Sequence, residues 1–208
     1  MLGALNYLAH ALLAEPYAHS LIGNLAGDLV KGPLAAHALH PRVADGIRRH
    51  RRVDTLTDAH PQYRSLKRLF PRQERRFAGI VLDVLFDFLL CRHWSMFSNW
   101  ERAEFTAGVY EVLQTKQVAL PVPLAERAST WVAADWLRVY ESLDGVAAVL
   151  DRVSHRLASN TGRRVDLAAL LAQVWIDEAR LELGFMAVFG DVKSALDGSK
   201  SGVIRCVD

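Results

Sequence analysis

Polar residues spaced four positions apart are the features of this sequence best suited to chemistry. This spacing places both side chains on one face of a helix. Four pairs show it: Asn24 with Asp28, His50 with Asp54, Asp54 with Asp58, and Asp83 with Asp87. Carboxylates and imidazoles together favour a divalent cation such as Mn²⁺, Mg²⁺ or Fe²⁺. Such a site is well suited to phosphoester hydrolysis, because the cation activates water and screens the phosphate charge.

Asp83 and Asp87 are the most informative pair, because they interrupt the most apolar segment, IVLDVLFDFLLCRHW at Ile80–Trp94. A helix of this composition is buried on most sides. Two buried carboxylates one turn apart repel each other unless a cation lies between them. A divalent metal meets that need, and so does a pair of structural bridges to arginine. The spacing alone leaves both interpretations open.

A strongly basic segment surrounds His50. Between Arg42 and Arg76 the chain has eleven Lys or Arg residues and four acidic ones, although its overall formal charge is only +2. This bias favours an anionic partner, with a solvated helix face as the alternative. The run RRHRR is compatible with nucleic-acid binding by composition. It lacks interleaved aromatic residues, however, and Asp54 and Asp58 lie beside it, so we expect no nucleic-acid partner.

Several classes of protein are disfavoured by what the sequence lacks. It has no GxSxG elbow, no GxxxxGK[ST] phosphate loop and no GxGxxG after a strand. Cys91 and Cys206 match no zinc or redox spacing, which is typical of a reducing cytosol. No uncharged run approaches the roughly 20 residues of a membrane span, and the apolar N-terminus makes a poor signal peptide. We therefore expect a cytoplasmic protein with no membrane partner.

Helical periodicity runs through almost the whole chain of 208 residues, of which 51% are hydrophobic. It predicts helices at Ile80–Trp94, Val132–Tyr140, Gly145–Leu157 and Leu167–Phe189. No alternating pattern with a tight-turn dipeptide indicates a hairpin. The sequence therefore predicts an all-α protein with a single compact domain over residues 1–190. The pattern weakens from Asp191 onward, which predicts a flexible C-terminal tail over residues 191–208.

Four segments in the first hundred residues resemble a known family. They are NYLAHALLA at Asn6–Ala14, GNLAGDLVKG at Gly23–Gly32, GIRRHRRVDTLTD at Gly46–Asp58 and LDVLFDFLLCRHW at Leu82–Trp94. In this order they resemble the bacterial acyl carrier protein phosphodiesterases, a divergent branch of the HD metal-dependent phosphohydrolases. The resemblance implies an HD-like helical domain that prefers Mn²⁺ and removes 4′-phosphopantetheine from holo-acyl carrier protein. The chain has no His-Asp dipeptide, so its ligands cannot be copied from the standard HD signature.

The resemblance also implies roles for individual residues. The metal ligands it implies are Asp28, His50, Asp83 and Asp87. Asp54 would complete the metal shell or orient the attacking water as a general base. Arg51 or Arg52 would neutralise the charge that develops on the phosphate. The supporting groups would be His10, Asn24 and His93.

A basic docking surface follows from the same resemblance, because acyl carrier proteins are small and strongly acidic. The expected contacts are Lys31, Arg48, Arg49, Arg64, Lys67, Arg68, Arg72, Arg75 and Arg76. Two alternatives remain open at this point. One is a helical phosphohydrolase that acts on a nucleotide or another small phosphodiester. The other is a non-catalytic helical module that binds acidic partners.

Overall fold

The computed structural model describes residues 7–162 and 164–196, which form eleven α-helices, four short 3₁₀-helices and no β-strand. The α-helices are α1 (Tyr7–Leu12), α2 (Ala18–Ala26), α3 (Pro41–Ala59), α4 (Pro61–Lys67), α5 (Ala78–Arg92), α6 (Trp94–Phe97), α7 (Arg102–Thr115), α8 (Val122–Ala133), α9 (Leu143–Thr161), α10 (Leu167–Trp175) and α11 (Glu178–Leu196). The all-α prediction is confirmed. Asn6, the first residue of the NYLAHALLA segment, lies outside the described residues.

Three glycines, Gly23, Gly27 and Gly46, allow α2 and α3 to pack at close range. A Cβ atom on Gly23 would lie 2.6 Å from the Cα atom of Gly46, closer than real Cβ atoms approach another atom. A Cβ atom on Gly27 would in turn lie 2.2 Å from Cγ of His50. Because glycine has no side chain, the two backbones can meet, and the imidazole of His50 has room against the end of α2.

Helix α5 lies in the hydrophobic core, as its composition predicts. Leu82, Leu85 and Leu89 are completely buried, and the helix packs against α1, α4 and α9. The predicted helix at Ile80–Trp94 is confirmed as α5, followed by the short α6. Because nearly every side of α5 is covered, both of its carboxylates must find partners inside the protein.

The second half of the chain differs from the prediction in two places. The predicted helix at Leu167–Phe189 is two helices, because α10 packs mainly on α9 whereas α11 packs mainly on α4, and the chain must turn between them. The predicted helix at Val132–Tyr140 is also interrupted. Asp135 takes a left-handed backbone conformation with φ of 45°, and a 3₁₀-helix follows at Trp136–Glu141.

The predicted flexible tail is wrong for residues 191–196, which continue α11. Val192 and Leu196 lie one turn apart and are buried, so two apolar residues suffice to hold this last turn against the core. Residues 197–208 lie outside the described part of the chain. Within that part, none of the helices has the length and apolar composition needed to cross a bilayer.

Candidate metal site

A cluster of three side chains, His10, His50 and Asp54, joins α1 to α3. Their ligand atoms all lie within 4.8 Å of one another. Nε2 of His10 is 3.2 Å from Oδ1 of Asp54, and Nε2 of His50 is 3.2 Å from Oδ2 of the same carboxylate. The two imidazole rings stack with their centroids 3.7 Å apart. We call these three residues the metal cluster.

The chemistry of these donors fits a divalent cation. Nδ1 of His50 donates to the main-chain oxygen of Asn24 over 2.8 Å, because a carbonyl oxygen can only accept. In the neutral imidazole, Nε2 of His50 is then the atom with a free lone pair. That atom and both ring nitrogens of His10 are buried and form no hydrogen bond of good geometry among the described residues, although both Nε2 atoms lie 3.2 Å from the Asp54 carboxylate. Buried nitrogens of this kind are costly unless something binds them, and a cation would do so.

The carboxylates around the metal cluster control its protonation. Burial by itself lowers the pKa of His50, but Asp28 and Asp54 outweigh burial and raise the pKa to about 9. Burial raises the pKa of Asp54, yet the two imidazoles hold it well below its ordinary value. Burial and the neighbouring His50 lower the pKa of His10. One imidazole therefore carries a proton that a cation must displace, so cation affinity increases as pH rises towards 9.

Asp28 lies at the edge of the metal cluster. Its Oδ1 atom is 3.7 Å from Nε2 of His50 and the same distance from Nζ of Lys31. The carboxylate is only 18% exposed. The structure thus brings together His50, Asp54 and Asp28 from the predicted set, and it adds His10 as a direct member of the cluster rather than a supporting group.

Asp87 has a different partner from the predicted metal. Its side chain is wholly buried, and its two oxygens accept hydrogen bonds from the backbone N–H groups of Leu8 (3.0 Å) and Ala9 (2.8 Å). Burial raises the pKa of Asp87 well above its ordinary value, although both donors oppose the rise. The prediction that Asp87 binds metal is corrected: this carboxyl group satisfies the first turn of α1, which would otherwise bury unpaired donors.

Asp83 is likewise separate from the metal cluster. Its Oδ1 atom accepts a hydrogen bond of 2.6 Å from the hydroxyl group of Tyr63 on α4. The ammonium group of Lys67 lies 4.3 Å from the centre of the Tyr63 ring. The structure thus gives Asp83 a tyrosine of α4 as its partner, in place of the metal cluster or the arginine bridge that the sequence suggested.

The sequence model of the acyl carrier protein phosphodiesterase family matches residues 5–192. The chain belongs to this family. Among its relatives, the acyl carrier protein phosphodiesterase of Escherichia coli O45:K1 (strain S88) is 36% identical over 153 residues, which cover 73% of this chain and 79% of the relative. The Salmonella dublin protein of the same name is 35% identical over the same lengths. No solved structure matches this chain significantly.

The other residues predicted to support catalysis in this family member have structural contacts. Arg51 donates to the carbonyl oxygens of Val30 and Gly32, both at 3.1 Å, and so holds the loop that follows Asp28. Arg52 is exposed and donates to the carbonyl oxygen of Ala195 at the end of α11. The hydrogen bonds of both guanidinium groups therefore go to main-chain oxygens outside the metal cluster, and Arg51 positions the loop that follows Asp28.

Asn24 and His93 differ in their relation to the metal cluster. Asn24 is fully buried, holds His50 through its main-chain oxygen and leaves its own Oδ1 atom without a partner among the described residues. His93 instead pairs with Glu182 of α11 at 3.2 Å. Asn24 thus contacts the metal cluster directly, whereas the partner of His93 is an acidic residue on α11 in place of the predicted site.

Most of the predicted docking residues are engaged within the protein. Arg49 is only 15% exposed and donates to the carbonyl oxygen of Leu13, so it closes the end of α1 rather than meeting a partner. The remaining engaged side chains are Lys31 with Asp28, Arg48 with Asp45, Arg64 and Lys67 with Asp58, Arg75 with Phe70 and Arg76 over Phe77. Arg68 and Arg72 are exposed and have no ion pair among the described residues.

The burial of Asp83 has a measurable consequence for the metal-free protein. Burial raises its pKa to about 7, although the Tyr63 hydrogen bond opposes the rise. The folded state therefore holds a proton that the unfolded state releases near pH 4, so this residue's contribution to stability falls as pH rises from about 4 to 7. We expect the free energy of unfolding of Asp83→Asn, measured relative to that of wild type, to increase by about 2 kcal/mol as pH rises from 5 to 7.

Urea unfolding of both proteins in chelator at several pH values measures this gain. The asparagine retains an oxygen that accepts from Tyr63, so the native hydrogen bond is matched. A stability difference that stays constant across the range would contradict the assignment.

Proposed function

We propose that this protein hydrolyses the phosphodiester that links 4′-phosphopantetheine to a serine of holo-acyl carrier protein, with a divalent cation, Mn²⁺ first, at the metal cluster. The observation that carries the proposal is the pair of stacked, buried imidazoles whose Nε2 atoms each lie 3.2 Å from the Asp54 carboxylate, an arrangement suited to a divalent cation. Membership of a family whose relatives are named acyl carrier protein phosphodiesterases supports the substrate.

The residues of the metal cluster have distinct tasks in this proposal. Nε2 of His10, Nε2 of His50 and the carboxylate of Asp54 would hold the cation, and Asp28 would be the fourth ligand. The main-chain oxygen of Asn24 fixes the ring of His50, so its free lone pair faces the cluster. The bound cation supplies Lewis acidity to the phosphate and to the attacking water.

Access to the metal cluster comes through Asp54. Its side chain is 39% exposed, whereas the two imidazoles are almost completely buried. A phosphodiester can therefore approach from the carboxylate side while the ring nitrogens remain shielded from water. Arg51 keeps the loop after Asp28 in place through the carbonyl oxygens of Val30 and Gly32, which fixes the fourth ligand relative to the cluster.

Removal of the cation tests the proposal directly. With Mn²⁺, the purified protein should convert holo-acyl carrier protein to a form lighter by the 4′-phosphopantetheine arm, as measured by intact-protein mass spectrometry. Excess chelator should reduce the rate to background, and renewed Mn²⁺ should restore it. Equal turnover in chelator would contradict a metal-dependent mechanism.

The same assay separates the two alternatives. Turnover of a nucleotide panel with none of the carrier protein would indicate a phosphohydrolase for small substrates. Binding of the carrier protein without release of any product, with or without metal, would indicate a non-catalytic module.

A further inference from the structure

A broad groove lies on a side of the molecule that the sequence did not indicate. It has a volume of about 800 Å³ and is formed by α8, α9 and the 3₁₀-helix Trp136–Glu141, together with Tyr7 and Leu29. Four arginines line it, and we call it the arginine groove. They are Arg127, Arg138, Arg152 and Arg156.

Positive charge in the arginine groove is largely unneutralised. Arg138, Arg152 and Arg156 are exposed and form no ion pair with any described residue. Among the lining residues, the only acidic one is Asp135, whose Oδ1 atom already accepts a hydrogen bond from the Tyr110 hydroxyl group. Unpaired guanidinium groups around one opening create a positive potential that attracts an anionic partner.

Aromatic rings form the floor of the groove. The indoles of Trp131 and Trp136 lie with their centroids 4.7 Å apart, and the ring of Tyr7 lies 4.8 Å from Trp131. The ring nitrogen of Trp136 is buried and has no hydrogen-bond partner in the described part of the chain. A partner that meets this floor must therefore offer apolar surface as well as negative charge.

Two lining residues of the groove lie close in sequence to residues in and beside the metal cluster. Tyr7 precedes His10 by one turn on α1, and Leu29 follows Asp28 directly. Burial raises the pKa of Tyr7, and Asp28 adds to this rise while Arg127 and Arg156 oppose it. Tyr7 thus lies within electrostatic reach of both the acidic edge of the cluster and the arginines of the groove.

We infer that the arginine groove is the surface on which an acidic protein docks, namely the carboxylate-bearing face of the carrier protein in the proposed reaction, in place of the basic segment Arg42–Arg76. This inference rests on the proposed function. The cations of that segment are mostly engaged within the protein, whereas Arg138, Arg152 and Arg156 of the groove form no ion pair with any described residue.

The placement of the arginines favours a protein over a small anion. They stand exposed on three separate elements, with Arg152 and Arg156 one turn apart on α9. A small phosphate ligand is usually held by donors that converge on one point. Exposed arginines around an aromatic floor are instead suited to carboxylates distributed over a helix surface. Each arginine–carboxylate pair between the two proteins is then weak, but several pairs together steer and orient the partner.

Charge reversal tests the inference. In Arg152→Glu/Arg156→Glu with Mn²⁺ at low salt, we expect KM for holo-acyl carrier protein to rise at least roughly tenfold, because attraction becomes repulsion. The value of kcat should change less than about twofold, as should the rate on bis(4-nitrophenyl) phosphate, which needs no docking. The difference in KM should shrink as NaCl is added.

A matched double variant on the basic segment, Arg68→Glu/Arg72→Glu, separates the two surfaces. A small change in its KM supports the groove. A large rise there together with an unchanged KM in the groove variant would overturn the inference.

If ADP quenches the indole fluorescence and the groove variant loses that quenching without a change in KM, the groove is a nucleotide site and the inference is wrong. Wild-type protein that hydrolyses only the small diester would refute the proposed function itself.

Discussion

Replacement of His50 with alanine is expected to abolish tight Mn²⁺ binding and to lower kcat/KM for holo-acyl carrier protein by roughly a thousandfold. His50 is 3% exposed, and its Nε2 atom lies 3.2 Å from Asp54 and 3.7 Å from Asp28. Loss of the imidazole removes a neutral nitrogen ligand that neither carboxylate can replace in the same position. The cation is then held by fewer ligands in a less defined geometry.

His155→Ala is the matched control, since it removes an imidazole that is 79% exposed and whose Nδ1 atom lies 3.9 Å from Asp151. It should retain activity and metal content. Isothermal titration with Mn²⁺ and the mass assay on the carrier protein give the two readouts. Because ligands of one cation act as a unit, His10→Ala should lose as much Mn²⁺ affinity and activity as His50→Ala. The double variant should lose little more of either than each single variant. A His50→Ala protein with wild-type Mn²⁺ affinity would refute the metal cluster.

The part of the site that the sequence predicted comes from contacts within one helix. His50 and Asp54 lie four residues apart on α3, so the helix alone brings them together, and the structure agrees. The apolar run around Asp83 also predicts a buried α5 correctly. Local periodicity determines these features, and one sequence is enough to detect them.

The part that the sequence missed depends on contacts between distant segments. His10 reads as a lone histidine on an apolar helix, and only the packing of α1 against its neighbours places it on His50. The spacing of Asp83 and Asp87 shows that they share a face, but not that α4 and α1 supply a different partner to each. Gly27 carries a usable signal, because a small residue one turn from Gly23 indicates close packing of another element.

The basic segment illustrates a second limit of sequence reasoning. Net charge along a stretch counts every guanidinium equally, whether or not a carbonyl oxygen or carboxylate of the same protein already engages it. Arg49 and Arg51 both hold main-chain oxygens of other elements. The groove arginines that lack an ion pair among the described residues lie on α9 and the preceding 3₁₀-helix, so they form no charged run in the sequence.

Asp87→Ala should destabilise the fold by about 4 kcal/mol, because it leaves two buried backbone donors without partners and a cavity in the core. The affected N–H groups belong to Leu8 and Ala9, immediately before His10. We therefore expect weaker Mn²⁺ binding as a secondary effect of a displaced α1. Urea unfolding in chelator measures the stability loss without any contribution from metal.

Asp87→Asn distinguishes this structural role from direct coordination. Its amide keeps one oxygen for a backbone donor and turns an NH₂ group towards the other, so a loss of about 2 kcal/mol is expected. Because His10 stays close to its place, the asparagine variant should keep Mn²⁺ affinity within about tenfold of wild type. If instead Asp87→Asn remains as stable as wild type in chelator yet fails to bind Mn²⁺, Asp87 is a ligand after all, and the hydrogen bonds to α1 are incidental to its role.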